Sequence, residues 1–254
     1  MYSTEHRIRY SECGASGRIK VVNIFHYLQD AADDHALSMG VSAGELQKNG
    51  FSWVLYRYGL KILRYPIRGE SINIRTWPCM YRNLYEMRAF VVTDDSGGLL
   101  FEAKTCWLVI DLEKGNPVRL NRTPYADILK GGEEIPFDID EIPELGSSYR
   151  ELGFRVRFHD LDTNRHVNNA IYPEWAIESV PEWAGEKHDD ENICRLRPWH
   201  IEINYKSAAH YGDTVLCRSA IASAEPELAF VHSIRNKADG RELARLRTSW
   251  KAFG

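Results

Sequence analysis

The stretch Asp160-Leu-Asp-Thr-Asn-Arg-His-Val-Asn-Asn169 leads directly into Ala170-Ile-Tyr-Pro-Glu-Trp-Ala-Ile-Glu-Ser-Val180, and the rest of the chain is organised around it. The first segment is mostly polar, whereas the second has apolar side chains at helical spacing. Asn168 is a favoured N-cap type, Pro173 is tolerated in a first turn, and Pro181 is a suitable stop. We therefore predict a polar loop followed by a helix of about three turns.

Composition sets the broad class of the protein. The 254 residues are 44% hydrophobic and 27% charged, which is enough to bury a substantial core. The net charge of -4 does not favour nucleic acid or an anionic membrane as a partner. Met1–Glu12 lacks the apolar run of a signal peptide, and no transmembrane stretch follows. We expect a cytoplasmic protein that binds neither nucleic acid nor membrane.

The first half reads as helices followed by strands. Apolar spacing predicts a long helix over residues 21–39 that ends at Gly40, and Ser42 with Glu45 predicts a capped short helix that stops at Asn49-Gly50. After that point the apolar period changes to two. Strands are predicted at residues 7–10, 52–63, 71–77, 84–93 and 99–111, with a hairpin turn at residues 94–98.

The second half repeats this pattern. Turn glycines and a strand motif recur at a constant separation of 143, as in Gly69 with Gly212 and Trp107 with Trp250. The helices match at a separation of 145, as in Tyr27 with Tyr172. We therefore predict an α+β fold made of two similar halves, each an antiparallel sheet that wraps a long helix, lying edge to edge. The predicted parts are residues 1–112, a linker at 113–150, and residues 151–254.

Three polar residues at alternate positions are the candidates for chemistry. Asp162, Asn164 and His166 supply a carboxylate, an amide and an imidazole ahead of a helix N-terminus, which is suited to polarising a carbonyl and activating water. The alternative is a polar loop whose side chains only cap turns. At the helix-derived separation their first-half counterparts are Gly17, Ile19 and Val21, so we expect a single active site per chain. The five cysteines have no C-x-x-C spacing, and no metal-ligand pattern or phosphate-binding loop is present.

The motif in this region extends well beyond the three polar residues. The run Asp162-x-Asn164-x-His166-Val167-Asn168-Asn169-x-x-Tyr172-x-x-Trp175-x-x-Glu178-x-x-Pro181 resembles the signature of the acyl-acyl-carrier-protein thioesterases of plants and bacteria. The resemblance covers nearly the whole chain. It implies a tandem (double) hotdog fold, hydrolysis of fatty acyl thioesters without a cofactor, and acyl carrier protein with its acyl-phosphopantetheine as partner. The absence of a leader segment before the first strand favours a bacterial source.

The resemblance also assigns roles to residues. It implies that Asn164 polarises the thioester carbonyl, helped by main-chain N–H groups at Val167, Asn168 and Asn169. His166 would activate water or bind the oxyanion, and Asp162 would orient both. The first half would shape the acyl pocket, with the chain length and the choice between monomer and homodimer left open.

The chain departs from the family pattern at one position. Relatives have a Glu ahead of the Gly-Asp that matches Gly212-Asp213, whereas this chain has Ala208. His210 is the candidate to substitute for that carboxylate, against the alternative of a surface-turn histidine. The sequence leaves two rival functions open: an acyl-coenzyme A thioesterase on the same fold, and a non-catalytic acyl-binding relative.

Overall fold

The computed structural model describes residues 1–82, 84–125, 132–133, 135, 139–180, 196–224 and 227–253, with the main chain alone at 80–82. The chain divides into two compact units, Met1–Ile139 and Asp140–Gly254. The predicted helix stop at Pro181 lies outside the described residues. Within them, no helix is long and apolar enough to cross a membrane.

The first unit is an antiparallel sheet with two helices. Its elements are β1 (Tyr2–Arg7), α1 (Val21–Ser38), α2 (Ala43–Lys48), β2 (Phe51–Ile62), β3 (Ser71–Arg82), β4 (Tyr85–Asp94), β5 (Leu99–Asp111) and β6 (Pro117–Val118). The strand order is β1-β3-β4-β5-β2, and β6 pairs with β5.

The second unit repeats the plan with one helix among its described residues. Its elements are β7 (Arg150–Arg155), α3 (Ile171–Glu178), β8 (Leu196–Tyr205), β9 (Thr214–Ser223), β10 (Leu228–Asn236) and β11 (Glu242–Ala252). The strand order is β8-β11-β10-β9-β7, again antiparallel.

Helix α1 forms because its apolar residues recur on one stripe that can be buried against the sheet. Ile24, Leu28 and Ala31 are fully buried, and the Phe25 ring packs on Tyr58 of β2 at a centroid distance of 4.7 Å. Helix α2 begins as predicted, since the Ser42 hydroxyl accepts the main-chain N–H of Glu45. The helix-on-sheet arrangement of the first unit is therefore confirmed.

The strand predictions in the first half agree with the structure to within a residue or two, except that β3 extends to Arg82. The predicted strand at residues 7–10 is wrong. The strand ends at Arg7, and Tyr10–Glu12 form a 3-10 turn instead. The Glu12 carboxylate accepts the Arg9 N–H at 2.7 Å, and this local bond replaces a ladder partner.

Helix α3 is shorter than predicted. It covers about two turns rather than three. The Asn168 side chain accepts the N–H of Ala170, so a separate turn over residues 168–170 replaces the first helical turn. Pro173 lies in the first turn of α3, as expected.

The segment predicted as a linker, residues 113–150, contributes to both units. Leu120 and Tyr125 are buried in a core cluster with Leu46 of α2. Further along, Ile142 is buried, and its carbonyl accepts a bond from Arg245 of the second unit. The two units meet in sequence between Ile139 and Asp140, inside the predicted linker.

Candidate active site

Asp162, Asn164 and His166 lie on one tight loop of the second unit. An isolated β-bridge between Leu161 and Val167 closes the loop. Inside it, the Asp162 N–H donates to the His166 carbonyl at 2.8 Å, and the Arg165 N–H donates to the Asp162 carbonyl at 3.0 Å. The turn requires a left-handed residue, and Arg165 has φ of 62°, the only positive φ at a non-glycine residue among those described.

The first unit contains the same loop. A bridge between Cys13 and Ile19 closes it, the Gly14 N–H donates to the Arg18 carbonyl at 2.9 Å, and the left-handed residue is Gly17 with φ of 71°. Every one of these residues lies 148 positions before its second-unit counterpart.

The structural alignment corrects the one obtained from the helices. The counterparts of Asp162, Asn164 and His166 are Gly14, Ser16 and Arg18, and not Gly17, Ile19 and Val21. The separation falls from 148 in the loop to 145 in the helices. Helix α1 begins two residues after the bridge residue Ile19, whereas α3 begins four residues after Val167. The first unit therefore has the loop without a carboxylate, amide or imidazole.

Asp162 shapes the loop through the main chain. Its Oδ1 accepts the N–H of Asn164 at 2.8 Å and that of His166 at 3.4 Å. The carboxylate is half-buried, whereas the other two side chains are exposed. Asp162 thus fixes the positions of Asn164 and His166 by holding their backbone, which makes it a positioning residue.

His210, the candidate substitute for the family carboxylate, lies beside this loop. The His166 and His210 rings are in T-shaped contact, with centroids 4.9 Å apart. The Asp213 carboxylate accepts the His210 N–H at 2.9 Å and holds the segment in place. Ala208, two residues earlier, is half-buried. The structure therefore brings His210 together with the predicted trio.

The three predicted main-chain N–H donors differ in whether they are already hydrogen-bonded within the chain. The Val167 N–H donates to Ala209 at 3.0 Å and the Asn168 N–H to Asp160 at 2.8 Å. These two groups are committed to the fold and cannot also polarise a ligand carbonyl. Among the described residues, the Asn169 N–H has no hydrogen-bond partner, so Asn169 is the member of this trio suited to that role.

Two tyrosines support the site and were not predicted to do so. The buried Tyr172 hydroxyl accepts the Ala209 N–H at 3.1 Å, and the Tyr205 hydroxyl donates to the Asn169 carbonyl at 2.9 Å. Burial raises the pKa of Tyr172 to about 12, and the carboxylates of Asp162 and Asp213 add to the rise. Apolar spacing predicts Tyr172 only as a core residue, because periodicity says nothing about where a hydroxyl bonds.

The basic residues near the site are weaker candidates for a functional role. Lys206 forms an ion pair with Glu242, which neutralises its charge locally. Arg195, a further basic residue of the chain, lies outside the described residues. In the part of the chain that the structure describes, no group of three or more His, Cys, Asp or Glu side chains could hold a metal ion.

The arrangement provides an exposed imidazole, an exposed amide and a main-chain N–H on a loop of defined shape. These groups can take up a proton from water and polarise a carbonyl, which are the requirements of acyl-group hydrolysis.

Comparison with known families matches both units in turn. The model of the acyl-ACP thioesterase N-terminal domain matches residues 1–128, and that of the C-terminal domain matches residues 144–252. Two curated plant proteins are similar over nearly the whole chain. Oleoyl-acyl carrier protein thioesterase 1, chloroplastic, of Arabidopsis thaliana is 26% identical over 98% of this chain and 76% of its own length. Acyl-[acyl-carrier-protein] hydrolase FATB2, chloroplastic, of Cuphea viscosissima is 25% identical over 96% of this chain, which spans 61% of that protein.

Solved structures share the fold. An acyl-ACP thioesterase from Bacteroides thetaiotaomicron superposes with a TM-score of 0.83 at 20% identity, covering 98% of this chain and 97% of that one. The 12:0-ACP thioesterase from Umbellularia californica gives a TM-score of 0.83 at 21% identity, covering 99% and 94%.

Proposed function

The chain belongs to the acyl-ACP thioesterase family, and from that premise we propose that it hydrolyses fatty acyl-ACP thioesters to free fatty acid and carrier protein in fatty acid biosynthesis. One observation carries the assignment of the site. The loop at residues 162–166 keeps the same hydrogen bonds as residues 14–18, yet it alone has a carboxylate, an amide and an imidazole. Since the first unit builds this loop without an amide or an imidazole, Asn164 and His166 are not needed to form it and are available for chemistry.

The proposed mechanism uses general-base hydrolysis. Asn164 and the Asn169 N–H polarise the thioester carbonyl, and His166 takes a proton from water as its oxygen attacks the carbonyl carbon. The tetrahedral intermediate then collapses, the carbon–sulfur bond breaks, and the proton on His166 passes to the phosphopantetheine thiolate. Asp162 holds the loop in position, and the ring of His210 limits the orientations open to His166.

Several finer features belong to the same proposal. The two units form a tandem (double) hotdog, with residues 1–112 shaping the acyl pocket and residues 151–254 carrying the chemistry. Acyl-phosphopantetheine on acyl carrier protein is the partner, and no metal or organic cofactor takes part. The setting is the bacterial cytoplasm, in keeping with the four described cysteines, which are all free thiols.

The test is side-by-side turnover of acyl-ACP and acyl-coenzyme A substrates with the same acyl chain. We expect higher kcat/KM on acyl-ACP over a panel of chain lengths. Preference for acyl-coenzyme A would favour the rival thioesterase activity. Ala208 is the observation that favours a non-catalytic acyl-binding protein, and purification with an intact bound thioester and no turnover would support that reading.

A further inference from the structure

Two buried polar side chains of the first unit have no hydrogen-bond partner among the residues that the structure describes. Glu86 of β4 is 6% exposed, and neither of its carboxylate oxygens is bonded to a described group. Tyr58 of β2 is also 6% exposed, and its hydroxyl is likewise unbonded. Neither side chain takes part in the site proposed above.

Strand register places both residues on the face of the sheet that α1 covers. Tyr58 and Arg88 both pair with Thr105 of β5, and Glu86 lies two residues before Arg88 on the same face. The Arg88 guanidinium donates to Nδ1 of His35 on α1 at 3.0 Å, which identifies this face as the inner one. An acyl chain held between helix and sheet would run along it.

The local environment allows the Glu86 carboxyl group to donate a hydrogen bond as well as to accept one. Burial raises the pKa of Glu86 to about 8, and the nearby Arg88 guanidinium offsets only part of that rise. The carboxyl group is therefore mostly protonated at neutral pH. A hydroxyl group, which also donates and accepts, is the ligand group that matches a carboxyl and a phenol together.

The second unit shows that the fold does not require these groups. Through the same pairings, Glu86 corresponds to Leu228, since the two pair with Trp107 and Trp250. Likewise Arg88 corresponds to Phe230, because they pair with Thr105 and Thr248. Tyr58 and Ile201, which pair with the same two threonines, complete the set. Apolar residues at these three positions are thus compatible with this architecture.

A buried polar group without a partner destabilises the folded state. The second unit illustrates the usual solution, since the buried His232 is bonded through both ring nitrogens, to Ser219 at 2.6 Å and Thr248 at 2.8 Å. Glu86 and Tyr58 lack such a solution within the described chain. Their partner is then best sought in a ligand.

We propose that Glu86 and Tyr58 form a subsite that binds a hydroxyl group carried on the acyl chain of the substrate. Arg88 has a structural part, holding α1 through His35. This proposal rests on the proposed function, because it assumes that the acyl chain lies along the inner face of the first unit. It assigns hydroxylated fatty acyl chains as a preferred substrate class.

The experiment compares acyl-ACP substrates of one chain length, either unsubstituted or with one hydroxyl placed at successive carbons. For the 254-residue chain we expect at least one hydroxylated substrate to have a kcat/KM about tenfold above that of the unsubstituted chain. Glu86→Leu should abolish this preference, and Tyr58→Phe should reduce it several-fold. The exposed Glu113→Leu serves as a control and should leave the ratio unchanged.

The outcomes separate this proposal from the proposed function. Efficient hydrolysis of the unsubstituted chain with no gain from any hydroxyl overturns the subsite and leaves the thioesterase in place. An unchanged ratio in a folded Glu86→Leu or Tyr58→Phe variant also overturns it. If no thioester is hydrolysed, the proposed function fails. In that case the subsite is tested by thermal shift with free hydroxylated and plain fatty acids, where equal shifts, or shifts kept by Tyr58→Phe, would count against it.

Discussion

The loops at residues 14–18 and 162–166 have the same main-chain hydrogen bonds and the same left-handed fourth residue, yet their side chains differ at all five positions. The inner sheet faces differ in the opposite sense, with Glu86, Arg88 and Tyr58 in the first unit against apolar residues in the second. Each unit thus keeps the shared backbone, but the carboxylate, amide and imidazole of the loop belong to the second unit, and the buried carboxyl, guanidinium and phenol of the inner face belong to the first. Function in this molecule is therefore best located by comparing the two units position by position.

The most severe test exchanges the loops. Replacing Asp162, Thr163, Asn164, Arg165 and His166 with the first-unit sequence Gly-Ala-Ser-Gly-Arg should preserve the fold, because that sequence already adopts this loop. Hydrolysis of acyl-ACP should fall about 10⁴-fold, as expected when a base and an oxyanion donor are lost together.

Thr163→Ala alone is the matched control for the exchange and should retain activity. The measurements are kcat/KM and the midpoint of thermal unfolding. An exchanged protein that hydrolyses within about tenfold of wild type would show that the loop has no part in the chemistry.

The second test concerns the inner face. Glu86→Leu introduces the residue type found at the corresponding Leu228 and removes an unpartnered carboxyl. The folded-state pKa of Glu86 is raised to about 8 from an ordinary 4.5, so its stabilising effect is complete below the unfolded pKa and is lost as pH rises through the folded one. Between pH 5 and pH 8 the free energy of unfolding of wild type should therefore fall by about 2–4 kcal/mol more than that of Glu86→Leu.

Denaturant unfolding of both proteins at several pH values measures this difference. Glu113→Leu, at an exposed position, is the control and should follow the wild-type curve. Parallel curves for wild type and Glu86→Leu would mean that the carboxyl is solvated or paired in solution.

Single substitutions test the catalytic residues of the loop one at a time. Asn164→Ala and His166→Ala should each lower kcat about a hundredfold, as for loss of an oxyanion donor or a general base. Both side chains are exposed, so the free energy of unfolding should change little. Near wild-type turnover by either soluble variant would remove that residue from the mechanism.

His210 should matter less than His166. Its ring contacts His166 but lies on a neighbouring segment, so His210→Ala should cost about tenfold in turnover through looser positioning, equivalent to roughly 1.4 kcal/mol. Ala208→Glu, which restores the family carboxylate, should change the rate less than this. A large gain from Ala208→Glu would show that the chain lacks a functional group, and near-complete loss in His210→Ala would make His210 the substitute base.

Much of the fold could be predicted from the sequence because its signals are local. The apolar stripe of α1, the Ser42 cap and the glycine-containing hairpin at residues 94–98 all depend on neighbours in the chain. The repeat was visible because turn glycines and tryptophans recur at fixed separations. The alignment of the two loops was missed, since Gly14–Arg18 and Asp162–His166 share no residue and only the hydrogen bonds relate them.

The site was predicted in its residues and less well in its contacts. The motif identified Asp162, Asn164 and His166, but the commitment of the Val167 and Asn168 N–H groups depends on partners distant in sequence or on turn geometry. The polar residues Glu86, Arg88 and Tyr58 of the inner face could not be predicted from the sequence, for a physical reason. In β4 the alternating residues Glu86 and Arg88 read as the solvent side of a strand, whereas α1 buries that side.

The smallest expected effect comes from the left-handed residue. Arg165 has φ of 62° where the first unit has Gly17, and an L-residue in this conformation costs roughly 1–2 kcal/mol. Arg165→Gly removes that cost, but it also increases the entropy of the unfolded chain. This second effect lowers the free energy of unfolding by about 0.4–1 kcal/mol. The net gain in the free energy of unfolding should be about 0.5–1 kcal/mol, measured by denaturant unfolding. Arg165→Ala, which keeps the strained conformation, should give no gain. If Arg165→Gly is more stable and equally active, the arginine is merely tolerated at a position where the first unit has glycine. If it is more stable but has a higher KM for acyl-ACP and not for acyl-coenzyme A, the exposed guanidinium contacts the carrier protein, and the strain is retained for binding.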